Sequence, residues 1–313
     1  MKICFLGAGA LGSSLGGVLT EAGVDVYLID PWAVHVEAMA RDGLRLREGT
    51  EERVVKVRAA TDCRGIGPAD LIVVVVKSYN TRAAIEQAGP IVGDKTIVLS
   101  LQNGLGNEDL LAEVVGKARV LGGRTYAGGV LLGPGHVLTG RKGKQTYIGE
   151  MDGTVTDRVR QITQVFTQAG LETLISPNIM EMIWDKLLIN SATGALAGIT
   201  RLPYGELYKL PDLMACGVAA VAEGMAVAQA GGMQLSITDP KAVWFKAAEG
   251  LPAAFKPSML QDVEKGARTE IDFINGAIVR EGEKFHIQTP VNRVLVACIK
   301  GIEAYQRIAG EPS

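Results

Sequence analysis

Lys186 and Asn190 stand four residues apart in the stretch EMIWDKLLINSATGALAGI, so on a helix they share one face. The rest of that stretch is largely apolar, which leaves a lysine there only partly solvated. Desolvation or a neighbouring cation lowers the pKa of an ammonium group and suits it to hand a proton to a carbonyl oxygen as hydride arrives from a cofactor. The competing reading is a lysine whose stem snorkels along an amphipathic helix. Downstream, SMLQDVEKGARTEIDFINGAIV carries Ser258 and Glu270. A carboxylate placed opposite a helix-borne lysine accepts a substrate hydroxyl and keeps the lysine charged; a glutamate near a helix start also simply compensates the dipole.

A second group of residues has the chemistry of a dinucleotide site. Gly7-Ala8-Gly9-Ala10-Leu11-Gly12 is a G-x-G-x-x-G that follows the apolar run KICFL and opens a helical pattern. In that context Gly7 permits the tight turn, Gly9 lets backbone approach a pyrophosphate, and Gly12 lets the helix pack closely, while Ala10 and Leu11 offer N–H groups at a helix start. The next strand, VDVYLID, ends at Asp30. Its carboxylate can accept hydrogen bonds from both ribose hydroxyls and repels a 2′-phosphate, so NAD(H) is favoured over NADP(H). Asp30 also suits the cap of a helix beginning near Pro31.

Two further residues belong to strand ends. Asn103, in Gln102-Asn103-Gly104-Leu105-Gly106, follows the strand TIVLSL and has an amide fit for a nicotinamide ribose or a substrate oxygen, or for a plain Asn-Gly turn. Lys77 follows LIVVVV, where a cation meets cofactor or substrate, or solvent alone.

The elements that must position these residues divide the chain in two. Strand, glycine turn, helix and strand over residues 2–30 form a βαβ unit, and LIVVVV (71–76) and TIVLSL (96–101) read as buried parallel strands separated by a helix at 81–87. Residues 44–59 read as an inserted hairpin, and 120–140 as strand and turn that end the sheet antiparallel. After LETLIS (171–176) long helical patterns take over: 178–197, 211–230, 238–249, 257–283 with a break near Gly266, and 289–309. The expected fold is α/β: an N-terminal Rossmann domain over 1–175 with a doubly wound, mostly parallel sheet, then an all-α domain over 176–313 for substrate and dimerisation.

Composition narrows the function classes. Lys and Arg number 32 against 34 Asp and Glu in 313 residues, a net charge of −2, which argues against nucleic-acid binding. Cys4, Cys63, Cys216 and Cys298 are scattered, as are His35, His136 and His286, so we expect reduced cysteines, a cytoplasmic protein and no metal site. The glycine spacing and Glu21 set the apolar N-terminus apart from a signal peptide. Met214–Met233 approaches membrane-spanning length, but Glu223 and Gln229 interrupt it; we expect a buried helix and no membrane partner. Its small residues, in ACGVAAVAEGMAVAQAGGM, also suit close packing in a homodimer.

GAGALG at 7–12, SLQNGLG at 100–106, W-x-K-L-x-x-N at 184–190 and S-M-L-Q-D-x(7)-T-E-I-D-x-I-N-G at 258–276 together resemble the ketopantoate reductase (2-dehydropantoate 2-reductase) family over essentially the whole chain. The resemblance implies a Rossmann domain plus a helical domain, an active site in the cleft between them, and reduction of ketopantoate to pantoate on the way to pantothenate and coenzyme A. It implies that Lys186 is the general acid and Glu270 the substrate-binding carboxylate. Asn190 and Ser258 then contact substrate, Asn103 lies near the nicotinamide, and Lys77 is the lysine after the fourth main strand. Two departures are informative. The family's typical enzyme prefers NADPH and has an arginine after strand two, where this chain reads Ile29-Asp30-Pro31; its frequent second asparagine is here Gly194, which implies an altered substrate pocket. The residues also leave open an NAD-dependent 2-hydroxy or 3-hydroxy acid dehydrogenase on the same scaffold, and a non-catalytic nucleotide sensor. Retention of both Lys186 and Glu270 argues against the sensor.

Overall fold

A computed structural model describes residues 1–310. The contacts divide the chain into two compact units, Met1–Gln102 with Asn107–Ile179, and Asn103–Gly106 with Met180 onward.

In the first unit the strands are β1 (Lys2–Leu6), β2 (Asp25–Ile29), β3 (Leu44–Glu48), β4 (Glu51–Val55), β5 (Arg58–Ala60), β6 (Leu71–Val74), β7 (Ile97–Ser100), β8 (Val120–Thr125), β9 (Gly128–Gly133), β10 (His136–Gly140), β11 (Thr146–Glu150) and β12 (Thr173–Ile175). The helices are α1 (Ala10–Glu21), α2 (Ala33–Asp42), α3 (Thr81–Gln87), α4 (Asn107–Val115) and α5 (Asp157–Gln168). Eight strands form one sheet in the order β12-β11-β8-β7-β6-β1-β2-β5, in which β11 and β8 are the antiparallel pair. The apolar runs around β1, β6 and β7 are buried on both faces, as parallel strands covered by helices must be. The large sheet does end antiparallel, but not within 120–140: of that segment only β8 joins this sheet, parallel to β7, and the antiparallel strand is β11, followed by β12 parallel to it.

The expected hairpin at 44–59 forms, but it is part of a second sheet, β4-β3-β10-β9. There β10 pairs in parallel with β3, His136 opposite Arg45. Helix α1 lies between the two sheets, with Gly16 against Phe5 and Leu28 of the large one and Gly17 against Leu44 and Leu46 of the small one. Much of the glycine surplus in this segment therefore serves a helix packed on two faces.

The second unit is helical: α6 (Ile179–Thr200), α7 (Tyr204–Leu207), α8 (Pro211–Ala230), α9 (Pro240–Lys246), α10 (Ser258–Glu264), α11 (Asn275–Lys284) and α12 (Pro290–Gly310), with a 3₁₀ turn at Ile271–Phe273. The expected break in 257–283 is real and wider than one residue. The buried helix is α6, enclosed without interruption from Ser191 to Gly198. Helix α8 is long and apolar enough to cross a membrane by length and composition, with mean hydropathy 1.5, yet only 39% of that window is buried. It is less enclosed than the sequence suggests, because Ala215, Ala222 and Ala226 fall on its open side.

Candidate active site

The glycine turn between β1 and α1 is built for close backbone approach. Gly7 has φ +98°, and a Cβ on Gly12 would lie 1.9 Å from the Gly7 carbonyl oxygen, so neither position accepts a side chain. Gly9 is exposed and faces open space, with nothing within 4 Å of where its Cβ would be. No acidic side chain occupies the first turn of α1 and none caps it. Its first N–H groups lack intrahelical carbonyl partners by construction, which leaves donors and a positive dipole end for a phosphate.

The peptide at Ala8 is held from both sides. Asp30 Oδ2 accepts the Ala8 N–H at 2.8 Å, while Oδ1 accepts the Trp32 N–H at 3.0 Å. His35, fully buried, meets the Ala8 carbonyl through Nε2 at 2.8 Å and accepts the Gly135 N–H on Nδ1 at 2.9 Å. Because Nδ1 is an acceptor, the ring carries its proton on Nε2 and donates it to Ala8. Trp32 stacks on that ring at 5.1 Å between centroids. Sequence reasoning passed over His35; a histidine in the helix after Asp30 was the available signal, but its partner Gly135 is a hundred residues away.

At the carboxyl ends of β6 and β7 a buried polar network ties two loops together. Gln102 Nε2 donates to the Val76 carbonyl at 2.8 Å and to Thr81 Oγ1 at 2.7 Å, and the Thr81 hydroxyl faces the Ser78 carbonyl and Asn107 Oδ1 at 2.8 and 2.9 Å. Lys77, partly buried, starts the first of these loops. Beside the network Glu108 is buried, and desolvation, only partly offset by its own N–H and the Ser100 hydroxyl, pushes its carboxyl up to about 7. Between pH 4.5 and about 7 the folded chain holds a proton that the unfolded chain has released, so stability falls as pH rises through that window and levels off above it. We therefore expect Glu108→Gln to stabilise the protein by about 1–3 kcal/mol near pH 8 and by little near pH 5. Urea denaturation at both pH values checks this; an equal gain at both would contradict it.

Asn103–Gly106, expected in the N-terminal half, packs with the helical unit. The Leu105 N–H donates to the Phe273 carbonyl at 2.9 Å, and Gly104, at φ +87°, lies so close that a Cβ would be 2.5 Å from that oxygen. The glycine is required for both conformation and approach. This contact sets the Asn103 loop on the 3₁₀ turn that follows Glu270.

Glu270 is 5% exposed and its segment is pinned. Glu303 Oε1 accepts the Thr269 N–H and hydroxyl at 2.8 and 2.7 Å, and the Glu270 carbonyl accepts the Phe273 and Ile274 N–H groups at 3.0 and 3.1 Å. Lys186 and Asn190 lie together on α6, both partly exposed where the following turns are buried. Gly194, two turns past Lys186, is covered by Met259: a Cβ there would touch Met259 Cβ and Cε at 3.8 and 3.9 Å. Ser258, exposed, opens α10 beside Met259. Asn103, Lys186, Asn190, Gly194, Ser258 and Glu270 thus belong to the helical unit, and Gly7, Gly9, Ala10, Leu11, Gly12, Asp30 and Lys77 to the first unit. Among the described residues no group of three His, Cys, Asp or Glu is placed to hold a metal ion.

Residues 3–153 match the family described as ketopantoate reductase PanE/ApbA, and residues 178–303 match its C-terminal counterpart. The chain belongs to the ketopantoate reductase family. Among its relatives in the family, the 2-dehydropantoate 2-reductase of Pyrococcus horikoshii is 38% identical over 304 residues, 97% of this chain and 98% of that protein. The enzyme of the same name from Archaeoglobus fulgidus is 37% identical over 97% of this chain and 98% of its own. The PanE/ApbA family ketopantoate reductase of Ralstonia eutropha superposes with a TM-score of 0.90 at 36% identity, covering 98% of this chain and 100% of its own. D-mandelate dehydrogenase with NADH and anilino(oxo)acetate superposes with a TM-score of 0.91 at 28% identity, over 98% and 100%. Family and fold class are therefore those expected from sequence, and the chain is an oxidoreductase of an NAD(P)-dependent ketopantoate reductase family.

Proposed function

We propose that this protein reduces ketopantoate to pantoate with a nicotinamide cofactor, Lys186 serving as proton donor and Glu270 as the carboxylate that holds substrate. The observation that carries this reading is Lys186 and Asn190 side by side on α6 in the same unit as a buried, doubly pinned Glu270, in a chain matched end to end by 2-dehydropantoate 2-reductases. The glycine cradle, open at Gly9 and closed to side chains at Gly7 and Gly12, fits a dinucleotide pyrophosphate, with Ala10 and Leu11 as donors. Asp30 keeps unused lone pairs on both oxygens for ribose hydroxyls, which favours NAD(H), and Lys77 and Asn103 border the nicotinamide end. When bound, the reduced nicotinamide supplies hydride to the 2-oxo carbon. The Lys186 ammonium donates its proton to the carbonyl oxygen, Glu270 accepts the substrate hydroxyl, and Asn190 and Ser258 hydrogen-bond the remaining oxygens. Residues 1–175 hold cofactor in this scheme, and residues 176–313 hold substrate.

Comparing kcat/KM over a panel of 2-oxo acids with both reduced cofactors tests the substrate. Ketopantoate should lead. A higher value for an aryl or straight-chain oxo acid would make the chain a 2-hydroxy acid dehydrogenase of other specificity, and cofactor binding with no turnover would make it a sensor. In this scheme Gly194 lines the pocket under Met259, and Gly194→Asn adds an amide against that side chain. We expect the substitution to change the ratio of kcat/KM for ketopantoate to that for phenylglyoxylate; an unmoved ratio would remove Gly194 from the site.

We further infer a cytoplasmic homodimer. Its four cysteines are all free. The open side of α8 is lined by small residues, and Val294, Tyr305 and Ile308 of α12 are exposed apolar side chains. Light scattering at micromolar concentration should give twice the chain mass, and the chain mass itself would reject the dimer.

A further inference from the structure

Asn275 belongs to the T-E-I-D-x-I-N-G segment but has no part in the scheme above. It is fully buried at the first position of α11, five residues past Glu270. The intervening turn closes on the Glu270 carbonyl, so Asn275 and Glu270 share one short, hydrogen-bonded piece of backbone. Both amide protons of Asn275 are used. One goes to the Ser191 carbonyl on α6 at 3.3 Å, the residue after Asn190, and the other to Asn292 Oδ1 at 3.0 Å.

The orientation of these amides is set from a distance. Glu223, on α8, accepts the Val291 N–H at 2.8 Å and the Asn292 N–H at 3.0 Å, and its Oε2 accepts Asn292 Nδ2 at 2.7 Å. Asn292 Nδ2 also donates to the Ala220 carbonyl at 2.9 Å. A carboxylate and a carbonyl only accept, so Asn292 must turn its nitrogen to α8 and its oxygen to Asn275. Asn275 must then present its nitrogen to Asn292 and to α6. Among the described residues no donor meets its own buried Oδ1, a cost that a side chain kept only for packing would not need to bear.

We propose that Asn275 is a positioning residue: through Ser191 it fixes the α6 face bearing Lys186 and Asn190 against the turn bearing Glu270, in an orientation imposed by Glu223 through Asn292. This rests on the reading that Lys186 and Glu270 carry the reaction. Loss of the link lets the two groups drift apart, which changes the charge each feels as well as their reach.

The test compares purified Asn275→Ala, Glu223→Gln, Ile278→Val and Lys186→Ala. Ile278 is fully buried in the same helix but outside the hydrogen-bond chain, so Ile278→Val reports lost stability alone. Asn275→Ala should lower kcat by about ten- to a hundredfold and displace the pH dependence of kcat, with NADH affinity unchanged. Glu223→Gln, which removes the acceptor-only end of the chain, should move both readouts in the same direction. Ile278→Val should leave both at wild-type values. If Asn275→Ala behaves as Ile278→Val does, with a lower melting temperature but wild-type kcat and pH profile, the proposal is overturned. If Asn275→Ala does not fold, Glu223→Gln decides by the same two readouts. Wild-type turnover in Lys186→Ala would instead overturn the reading of the site, and the positioning role with it.

Discussion

Lys186→Ala should lower kcat with ketopantoate by roughly 10² to 10⁴ fold, the weight of a positioned acid, which corresponds to about 3–5 kcal/mol of transition-state stabilisation. NADH affinity should stay near the wild-type value, because the glycine cradle and Asp30 belong to the first unit and Lys186 to the second. Glu270→Ala should act differently. Its carboxylate is buried on a segment held by Glu303, so its removal takes away binding made in ground state and transition state alike and chiefly raises KM. Steady-state kinetics with a separate NADH titration distinguishes the two patterns. Near wild-type turnover in Lys186→Ala would make it a surface lysine, and the catalytic assignment would fail.

NADH should bind at least about tenfold more tightly than NADPH. A 2′-phosphate would meet the Asp30 carboxylate as a like charge, and repulsion of about 1.5–3 kcal/mol at the protein surface is worth that factor or more. The backbone donors near Asp30 do not relieve it, since the Ala8 and Trp32 N–H groups are both spent on the carboxylate itself. Arg41 offers no counter-charge there: it lies in the last turn of α2 and pairs with Asp42. Asp30→Asn should shrink the preference, while weakening NADH through the partial loss of the Ala8 contact. Fluorescence titration of both cofactors measures the ratio, and equal or reversed affinities would contradict the role given to Asp30.

Local pattern made much of this molecule legible. G-x-G-x-x-G after an apolar run located the cradle because its glycines answer constraints within six residues, as the 1.9 Å approach of Gly12 to Gly7 shows. The ends of α6 and α8 followed from helical periodicity to within a few residues. What was not legible depends on partners distant in the chain. The second sheet needs β10 beside β3, and neither strand advertises the other. His35 looks like any residue of an amphipathic helix until Gly135 and Ala8 are seen around it. The docking of Asn103–Gly106 on Phe273, and the Glu223-Asn292-Asn275 chain, likewise join segments separated by long stretches of sequence. The partial exposure of helix α8 is not legible either, because composition reports apolarity, not the side that faces a neighbour.

In the proposed reaction a proton from Lys186 and a hydride from the cofactor together make a 2-hydroxy acid from ketopantoate. Its most direct test is to mix the protein with NADH and ketopantoate and to quantify pantoate formed against NADH consumed, in wild type and in Lys186→Ala. We expect one pantoate for each NADH oxidised in wild type and a rate lower by about 10² fold or more in the variant. Bound NADH that stays reduced in the presence of ketopantoate, or equal rates in the two proteins, would contradict it.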